Sequence, residues 1–80
     1  SQRLMEFEKL KKIIGEILHT DEESITMETN FMDDLGADSL DLFQIVMEIE
    51  KEFDIEIPQE RIASIHQMKD AVECIRRIAG

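Results

Sequence analysis

The sequence predicts an all-α fold, namely a small helical bundle with three longer helices, one short third helix and a long first crossover loop. Two observations lead to this prediction. Apolar residues recur every three or four positions near both ends of the chain and in its middle, which is the spacing of amphipathic helices. No segment alternates polar and apolar residues for long enough to predict a strand. Because 80 residues suffice for one thin hydrophobic core, we expect residues 1–80 to form a single domain.

The first helix is expected from about Met5 to Leu18. Six apolar residues keep helical spacing along it: Phe7, Leu10, Ile13, Ile14, Ile17 and Leu18. Gly15 lowers the stability of this helix unless close packing requires a glycine there. Met5 with the following EFEKL has the form of a natural start, so we expect residues 1–4 to be a remnant added ahead of it.

The segment 19–37 is predicted to be a long loop that crosses the bundle. A loop of this length is uncommon in a small domain unless its own side chains hold it against the core. Three apolar residues are expected to do so: Ile25, Phe31 and Leu35. Thr20 and Glu23 have the spacing of a capping box, which predicts a helical turn over residues 20–24.

The stretch DDLGADSLDLFQIVMEIEKEF, residues 33–53, is predicted to begin with a turn and to continue as a long helix. Asp38 is a favourable N-cap, and Asp41 lies three residues further on, where the acid of a capping box would stand. Ser39 then occupies the first helical position. Its hydroxyl is expected to face water beside the positive end of the helix dipole.

This second helix has two apolar faces, although one would be enough for packing. At about 100° per residue, one face is expected to lie in the core: Leu42, Ile45, Val46, Ile49 and Phe53. The opposite face is also apolar, with Leu40, Phe43 and Met47. Acidic residues form a ridge beside it: Asp41, Glu48 and Glu52. Apolar and acidic groups on one outward face indicate a docking surface, while packing under the crossover loop is the alternative.

The C-terminal part of the chain predicts one short helix and one final helix. Pro58 suits the first position of a helix that runs to about Ser64. The last helix is expected from about Gln67 to Ile78, capped either by Ser64 with Gln67 or by Gln67 with Asp70. Its apolar residues keep helical spacing: Met68, Ala71, Val72, Ile75 and Ile78.

Charge and cysteine content limit the possible partners and location. Nineteen acidic against nine basic side chains give a formal charge of −10. This balance argues against nucleic acid as a partner, because nucleic-acid-binding proteins concentrate Lys and Arg, and it favours partners with basic surfaces. The single cysteine, Cys74, cannot form an internal disulfide and suits a reducing compartment. Without a membrane-spanning run or a signal peptide, we expect a soluble cytoplasmic monomer.

No catalytic or metal-binding set is predicted. Ser39 lacks a partner base in the neighbouring sequence, and neither His19 nor His66 lies in a pattern that would supply one. The turn LGADS departs from the Gly-x-Ser-x-Gly turn that presents a nucleophilic serine. An EF-hand loop that started at Asp33 would place Leu35 at its third, metal-binding position. We therefore expect a protein that is not an enzyme and that holds no metal.

The run DLGADSLD, from Asp34 to Asp41, resembles the prosthetic-group attachment motif of acyl carrier proteins. The resemblance extends over nearly the whole chain. It includes FEKLKKII at the start, Phe31 ahead of the motif, IVMEIEKEFDIEIP through the second helix and the apolar spacing of the final helix. GADSL resembles acyl carriers more than peptidyl carriers. The resemblance implies a four-helix bundle in which the third helix is short.

The resemblance also implies a function. Ser39 would take 4′-phosphopantetheine from coenzyme A, through a phosphodiester formed by a Mg²⁺-dependent phosphopantetheinyl transferase, and the terminal thiol would carry acyl chains in fatty-acid or related polyketide-type synthesis. The implied partners are this transferase and acyl-chain synthesis enzymes with basic docking patches. Seven residues would meet them: Asp38, Leu40, Asp41, Phe43, Met47, Glu48 and Glu52. The alternative function is an unmodified acidic helical adaptor that uses the same surface for protein binding.

Several positions depart from the usual pattern of that family. Gln44 stands where an acid is common, Lys51 interrupts an acidic triplet, and Arg61 lies in a normally acidic short helix. His66 and Gln67 replace a threonine pair that caps the last helix. These two replacements predict a frayed start to that helix.

Overall fold

A computed structural model describes residues 2–80, with side chains from Met5 onwards, so the expectation about residues 1–4 lies outside what the described residues test. Four α-helices occur in the described part of the chain: α1 (Gln2–Leu18), α2 (Ser39–Phe53), α3 (Gln59–Ile62) and α4 (Met68–Ala79). Residues 2–80 contain no strand, and their β pairing is limited to an isolated bridge between Asn30 and Gln67. The predicted four-helix fold, with its long first crossover and short third helix, is confirmed.

The hydrophobic core lies where α1 packs against both α2 and α4. Its helical members repeat at three- and four-residue intervals: Leu10 and Ile14 on α1, Ile45, Val46 and Ile49 on α2, and Met68, Ala71, Val72, Cys74 and Ile75 on α4. Each large apolar side chain buried in this way contributes about 1.5–3 kcal/mol. Packing of these faces therefore decides where the helices form, since isolated helices of this length are marginal in water.

The crossover loop is held against the core by its own side chains, as predicted. Ile25 is 3% exposed and Phe31 is 1% exposed, while Leu35 is half-buried against the same core. Phe31 is among the largest fully buried side chains of the described chain. A loop fixed by such a residue becomes part of the framework that carries the segment leading into α2.

The helical turn predicted after α1 is present, but its predicted cap is wrong. A 3₁₀ helix spans Glu22–Ser24, and the Asp21 carboxylate accepts a hydrogen bond from the Glu23 amide at 3.0 Å. Thr20 instead belongs to the turn that closes the end of α1. His19 has a left-handed φ of 54°, and the Thr20 amide donates to the Gly15 carbonyl at 3.2 Å. This is the hydrogen bonding of a helix C-terminus.

Gly15 is explained by the same tight turn. A Cβ at this position would lie 2.9 Å from Cγ of Glu22 and 3.2 Å from the carbonyl oxygen of Thr20. The Thr20 oxygen belongs to the backbone and cannot move aside like a side chain. Close approach of the turn to α1 therefore requires a glycine despite its low helix propensity.

The start of α4 is firmly held, so the predicted fraying is wrong. The amide of Met68 donates to the Thr29 carbonyl, and the amide of Lys69 donates to the Met27 carbonyl, each at 2.9 Å. The Gln67 side-chain amide also donates to the Glu28 carbonyl at 3.1 Å. The crossover loop thus accepts hydrogen bonds from amides that would otherwise be free at a helix start. These bonds, together with the Phe31 amide that donates to His66, form what we call the crossover clamp between residues 27–31 and 66–69.

Of the two caps predicted for α4, the one that uses Asp70 is correct. The Asp70 carboxylate accepts hydrogen bonds from the amides of His66 at 3.0 Å and Gln67 at 2.9 Å. Ser64 does not cap α4, because its hydroxyl donates to the carbonyl of Arg61 at 2.8 Å and closes the end of α3. Pro58 is the N-cap of α3 and not its first helical residue, so α3 is shorter than predicted.

Candidate functional site

The start of α2 has the predicted geometry. The Asp38 carboxylate accepts a hydrogen bond from the Asp41 amide at 2.8 Å, and the Asp41 carboxylate accepts one from the Asp38 amide at 3.1 Å. This reciprocal capping box fixes Ser39 as the first residue of the helix. Ser39 is exposed, and its hydroxyl makes no hydrogen bond with any other described residue. The hydroxyl is therefore free to react beside the positive end of the α2 dipole.

The loop that leads into α2 is rigid for local reasons. The Asn30 side-chain oxygen accepts hydrogen bonds from the amides of Met32 at 3.0 Å and Asp33 at 2.8 Å. The Asp34 carboxylate accepts one from the Asn30 amide at 2.8 Å. Gly36 has a φ of 68°, a conformation in which a Cβ would be strained. These contacts hold the turn that delivers Ser39, and the sequence signal for them is the preference of Asn, Asp and Gly for turns.

A cavity of about 470 Å³ opens beside Ser39, between α2, α3 and the crossover loop. Most of its wall is apolar, and its described lining consists of Asn30, Phe31, Met32, Asp33, Ser39, Leu42, Phe43, Ile62, Ala63, Ile65 and His66. Sequence reasoning missed this cavity, because its walls come from segments that are distant along the chain. An exposed hydroxyl at the edge of an apolar cavity suits attachment of a group that has both polar and apolar parts.

The outward side of α2 is apolar, as predicted. Leu40, Phe43 and Met47 are 70%, 61% and 52% exposed, and we call these three residues the outer face of α2. None of the three belongs to the core or to the apolar residues packed against it, although Phe43 also borders the cavity beside the crossover loop. The alternative of burial under the crossover is therefore wrong. A neighbouring group of exposed apolar residues on one helix is typical of a protein interaction surface.

The acidic ridge predicted beside the outer face is partly engaged in local contacts. Asp41 is half-buried and belongs to the capping box. Glu48 lies 3.9 Å from Lys51, and Glu52 lies 3.6 Å from Lys9 of α1. Such exposed pairs contribute roughly 0–1 kcal/mol and exchange partners easily. Both glutamates thus remain available to another basic group.

Within the described residues, no group of three or more His, Cys, Asp or Glu side chains could hold a metal ion. Cys74 is 5% exposed, and burial raises the pKa of its thiol above the ordinary value, opposed by the nearby positive charge of Arg61. A buried thiol of this kind is a poor nucleophile. His66 lines the Ser39 cavity, although the two side chains are not hydrogen-bonded.

None of the helices in the described chain has the length and apolar character needed to cross a membrane.

Comparison with known proteins identifies the class of protein. The family model for the phosphopantetheine attachment site matches residues 8–75. An acyl carrier protein from Clostridium acetobutylicum is 47% identical over 72 residues, which cover 90% of this chain and 94% of that protein. One from Clostridium perfringens is 48% identical over 69 residues, covering 86% and 91%. The crystal structure of an acyl carrier protein from Thermotoga maritima is similar with a TM-score of 0.84 at 31% identity, covering 98% of this chain and 91% of that one.

The chain belongs to the phosphopantetheine attachment family and is an acyl carrier protein. Acyl carrier proteins are carriers that work with synthesis enzymes and are not enzymes themselves, and 4′-phosphopantetheine is the cofactor of this family. The predictions of family, function and cofactor are therefore confirmed. A role in fatty-acid or related synthesis is consistent with the names of these relatives.

Proposed function

We propose that Ser39 is the residue of this carrier to which 4′-phosphopantetheine is attached. The observation that supports this assignment is the free, exposed hydroxyl at the first position of α2, between a closed capping box and an apolar cavity. The residues fit the group well. A phosphate on Ser39 would lie at the N-terminus of a 15-residue helix, where free amides and the dipole favour an anion.

Attachment requires another enzyme, because no described side chain accepts a hydrogen bond from the Ser39 hydroxyl. A phosphopantetheinyl transferase would supply the base and the Mg²⁺. The Ser39 oxygen forms the new bond to phosphorus, the pyrophosphate linkage of coenzyme A breaks, adenosine 3′,5′-bisphosphate leaves, and the transferase takes up the serine proton. When bound, the group supplies a flexible arm whose thiol carries acyl chains as thioesters.

The cavity beside Ser39 gives this chain a second role in handling its cargo. Ile62 and Ile65 form one side of the cavity, and Leu42 and Phe43 form another. An apolar acyl chain that entered this space would leave water, which is favourable in proportion to the buried area. We propose that these walls shelter the part of the cargo nearest the arm.

Partner enzymes are proposed to dock on α2 around the attachment site. Leu40, Phe43 and Met47 supply apolar contacts. Four carboxylates supply negative charge for basic patches on the transferase and on acyl-chain synthesis enzymes: Asp38, Asp41, Glu48 and Glu52. Electrostatic complementarity of this kind raises the association rate more than the affinity. Fast and weak docking suits a carrier that must leave each enzyme in turn.

The remaining parts of the proposal concern the whole chain. We propose that residues 1–80 act as a single domain, which the match over residues 8–75 supports. We also propose that the carrier acts as a monomer in the cytoplasm. The reducing environment there would keep the thiols of Cys74 and of the arm free.

Mass spectrometry tests the attachment site directly. The purified chain is incubated with coenzyme A, Mg²⁺ and a broad-specificity transferase, and the intact mass is measured. We expect the wild type and Ser64→Ala to gain one phosphopantetheine group and Ser39→Ala to gain none. Ser64 is the matched control because it is also an exposed serine. It lies at the end of α3, next to the cavity residues Ala63 and Ile65. A wild type that stays unmodified, or a Ser39→Ala variant that is still loaded, would contradict the proposal.

A further inference from the structure

A groove of about 350 Å³ lies between α1 and α2 and shares none of its described lining with the Ser39 cavity. Three apolar and three polar side chains line it: Ile13, Ile17, Met47, Glu16, Gln44 and Glu48. The two isoleucines are half-buried against the core, whereas the three polar side chains are exposed. The groove therefore has an apolar floor and a polar rim.

The register of the two helices places Glu16 and Glu48 on opposite walls of this groove. The helices run antiparallel, since Lys9 pairs with Glu52 at one end of their contact and Glu16 lines the groove with Gln44 further along. Glu48 stands four residues before Glu52 on α2, and Glu16 stands seven residues after Lys9 on α1. Both carboxylates therefore border the seam between the helices, about one helical turn apart along it. A side chain that entered the groove would lie between them.

The seam already holds a cation about one turn away from the groove. The Lys9 ammonium lies 3.6 Å from its carboxylate partner on α2 and 5.7 Å from the centroid of the Phe53 ring. In the groove itself, no described lining residue is cationic. Glu16 forms no ion pair with any residue that the structure describes. Glu48 lies 3.9 Å from Lys51, but this lysine is 79% exposed and such a pair contributes little. The groove thus offers two carboxylates and lacks a cation.

We infer that the groove receives one arginine side chain of the phosphopantetheinyl transferase that loads Ser39. The apolar stem of the arginine lies over Ile13 and Met47, and its guanidinium donates to the carboxylates of Glu16 and Glu48. Arginine suits this groove better than lysine, because its planar fork of five N–H donors can serve two separated acceptors at once. The inference rests on the proposed docking of the transferase along α2, and it extends that docking surface onto α1.

The transferase is the partner whose position is most restricted. It acts on the Ser39 hydroxyl and must lie against the tip of α2, whereas a synthesis enzyme acts on the thiol at the far end of the arm. Gln44 stands five residues beyond Ser39, which is about 7.5 Å along the helix. A contact patch of about 800 Å² that begins at the tip therefore reaches the groove. Met47 belongs to both the outer face and the groove, so the two surfaces are continuous.

Loading kinetics test the contribution of Glu16, which lies on α1 and outside the docking surface proposed above. We expect kcat/KM for transferase loading to fall about two- to fivefold in Glu16→Gln, as for the loss of one exposed ion pair. Glu48→Gln should have a similar effect. Glu56→Gln is the matched control, because Glu56 is also an exposed glutamate and does not line the groove. An equal fall in the control would show that only the overall charge matters and would contradict the inference.

Methyl NMR with a mimic of the arginine side chain tests the groove without a partner. n-Butylguanidinium chloride is added to the purified carrier and compared with sodium chloride at the same ionic strength. We expect the methyl resonances of Ile17 and Met47 to shift in the wild type but not in the double variant Glu16→Gln, Glu48→Gln. Met32 is the internal control, since it is 53% exposed and lies outside the groove. Equal shifts with n-butylammonium would contradict the preference for arginine.

The outcomes separate this inference from the proposed attachment. Unmoved methyl resonances in the wild type, or equal loading kinetics for Glu16→Gln and the unaltered chain, would overturn the role of the groove. In either case, a normal mass gain leaves the attachment at Ser39 in place. Absence of any mass gain in the wild type would instead refute the attachment and, with it, the transferase as the occupant of the groove.

Discussion

The two faces of α2 differ in what they contribute to the molecule. On the inner face, Ile45 and Ile49 are 2% and 1% exposed, whereas Leu40, Phe43 and Met47 on the outer face are 52–70% exposed. Side chains of similar size therefore stabilise the fold on one side and leave apolar surface in water on the other. Burial of such a side chain is worth about 1.5–3 kcal/mol. The comparison suggests that the inner face holds the helix and that the outer face serves a partner.

Ile49→Ala should give the largest effect on stability. Truncation of a fully buried isoleucine leaves a cavity in the core and lowers the free energy of unfolding by about 2–5 kcal/mol. Urea unfolding followed by circular dichroism measures this change. Met47→Ala on the same helix should change stability by less than about 0.5 kcal/mol, because Met47 is half-exposed.

A milder variant keeps this test interpretable if Ile49→Ala does not fold. Ile49→Val should lower stability by about 0.5–1.5 kcal/mol. Equal losses for Met47→Ala and Ile49→Val would show that the outer face also holds the bundle, and the distinction between the faces would fail.

Asp38 caps α2 and is also one of the carboxylates proposed for docking. Two substitutions separate its effect on stability from its effect on docking. Asp38→Ala removes the cap of α2 and should lower the free energy of unfolding by about 0.5–2 kcal/mol. Asp38→Asn keeps a good cap and should retain most of the stability, while it removes a charge proposed for docking. Thermal unfolding measures the first effect, and the rate of transferase loading measures the second. Equal stability of the two variants would show that the hydrogen bond between Asp38 and the Asp41 amide contributes little.

The parts of the fold predicted from sequence are those that depend on local patterns. The helices follow from apolar spacing, and the α2 cap follows from Asp38 and Asp41 at their fixed separation. The second apolar face of α2 also follows from sequence, but its exposure does not, because packing under the crossover loop remained an alternative until the structure showed the three side chains in water. Each of these features depends on residues within a single helix, that is, within about five helical turns of one another.

The parts that could not be predicted depend on residues that are distant in the sequence. The frayed α4 start was a reasonable expectation from His66 and Gln67, which make a poor cap by themselves. The crossover clamp reverses it, because the carbonyls of Met27 and Thr29 accept hydrogen bonds from the first amides of α4. His66 and Ser39 line the same cavity although they are distant in the sequence, so the local sequence gave no signal for this arrangement.

Added salt should raise stability by less than the loss caused by Asp38→Ala. The chain carries a formal charge of −10, so exposed carboxylates repel one another in the folded state more than in the expanded chain. Ions screen this repulsion over about 10 Å at 0.1 M. The melting temperature is measured in increasing sodium chloride at neutral pH, where about 4–8 °C corresponds to each kcal/mol. An unchanged melting temperature would show that the few local ion pairs already offset the repulsion.

Cys74 should make stability fall at high pH. Burial raises the pKa of its thiol in the folded state, so the unfolded chain loses this proton first as the pH rises. The contribution is therefore fully present below the ordinary thiol pKa of about 8.5 and is lost as the pH rises through the higher folded value. Urea unfolding at neutral and alkaline pH is compared between the wild type and Cys74→Ala. An equal decline in both proteins would assign the effect to other groups.

Phe43→Ala should have the smallest effect on stability and a clear effect on function. Phe43 is 61% exposed, so its loss should change the free energy of unfolding by less than about 0.5 kcal/mol. If partners cover the outer face, the same variant should lower kcat/KM for transferase loading. Met5→Ala is the matched control, since Met5 is 60% exposed but lies on α1, away from Ser39. Equal kinetics for Phe43→Ala and Met5→Ala would remove Phe43 from the proposed docking surface.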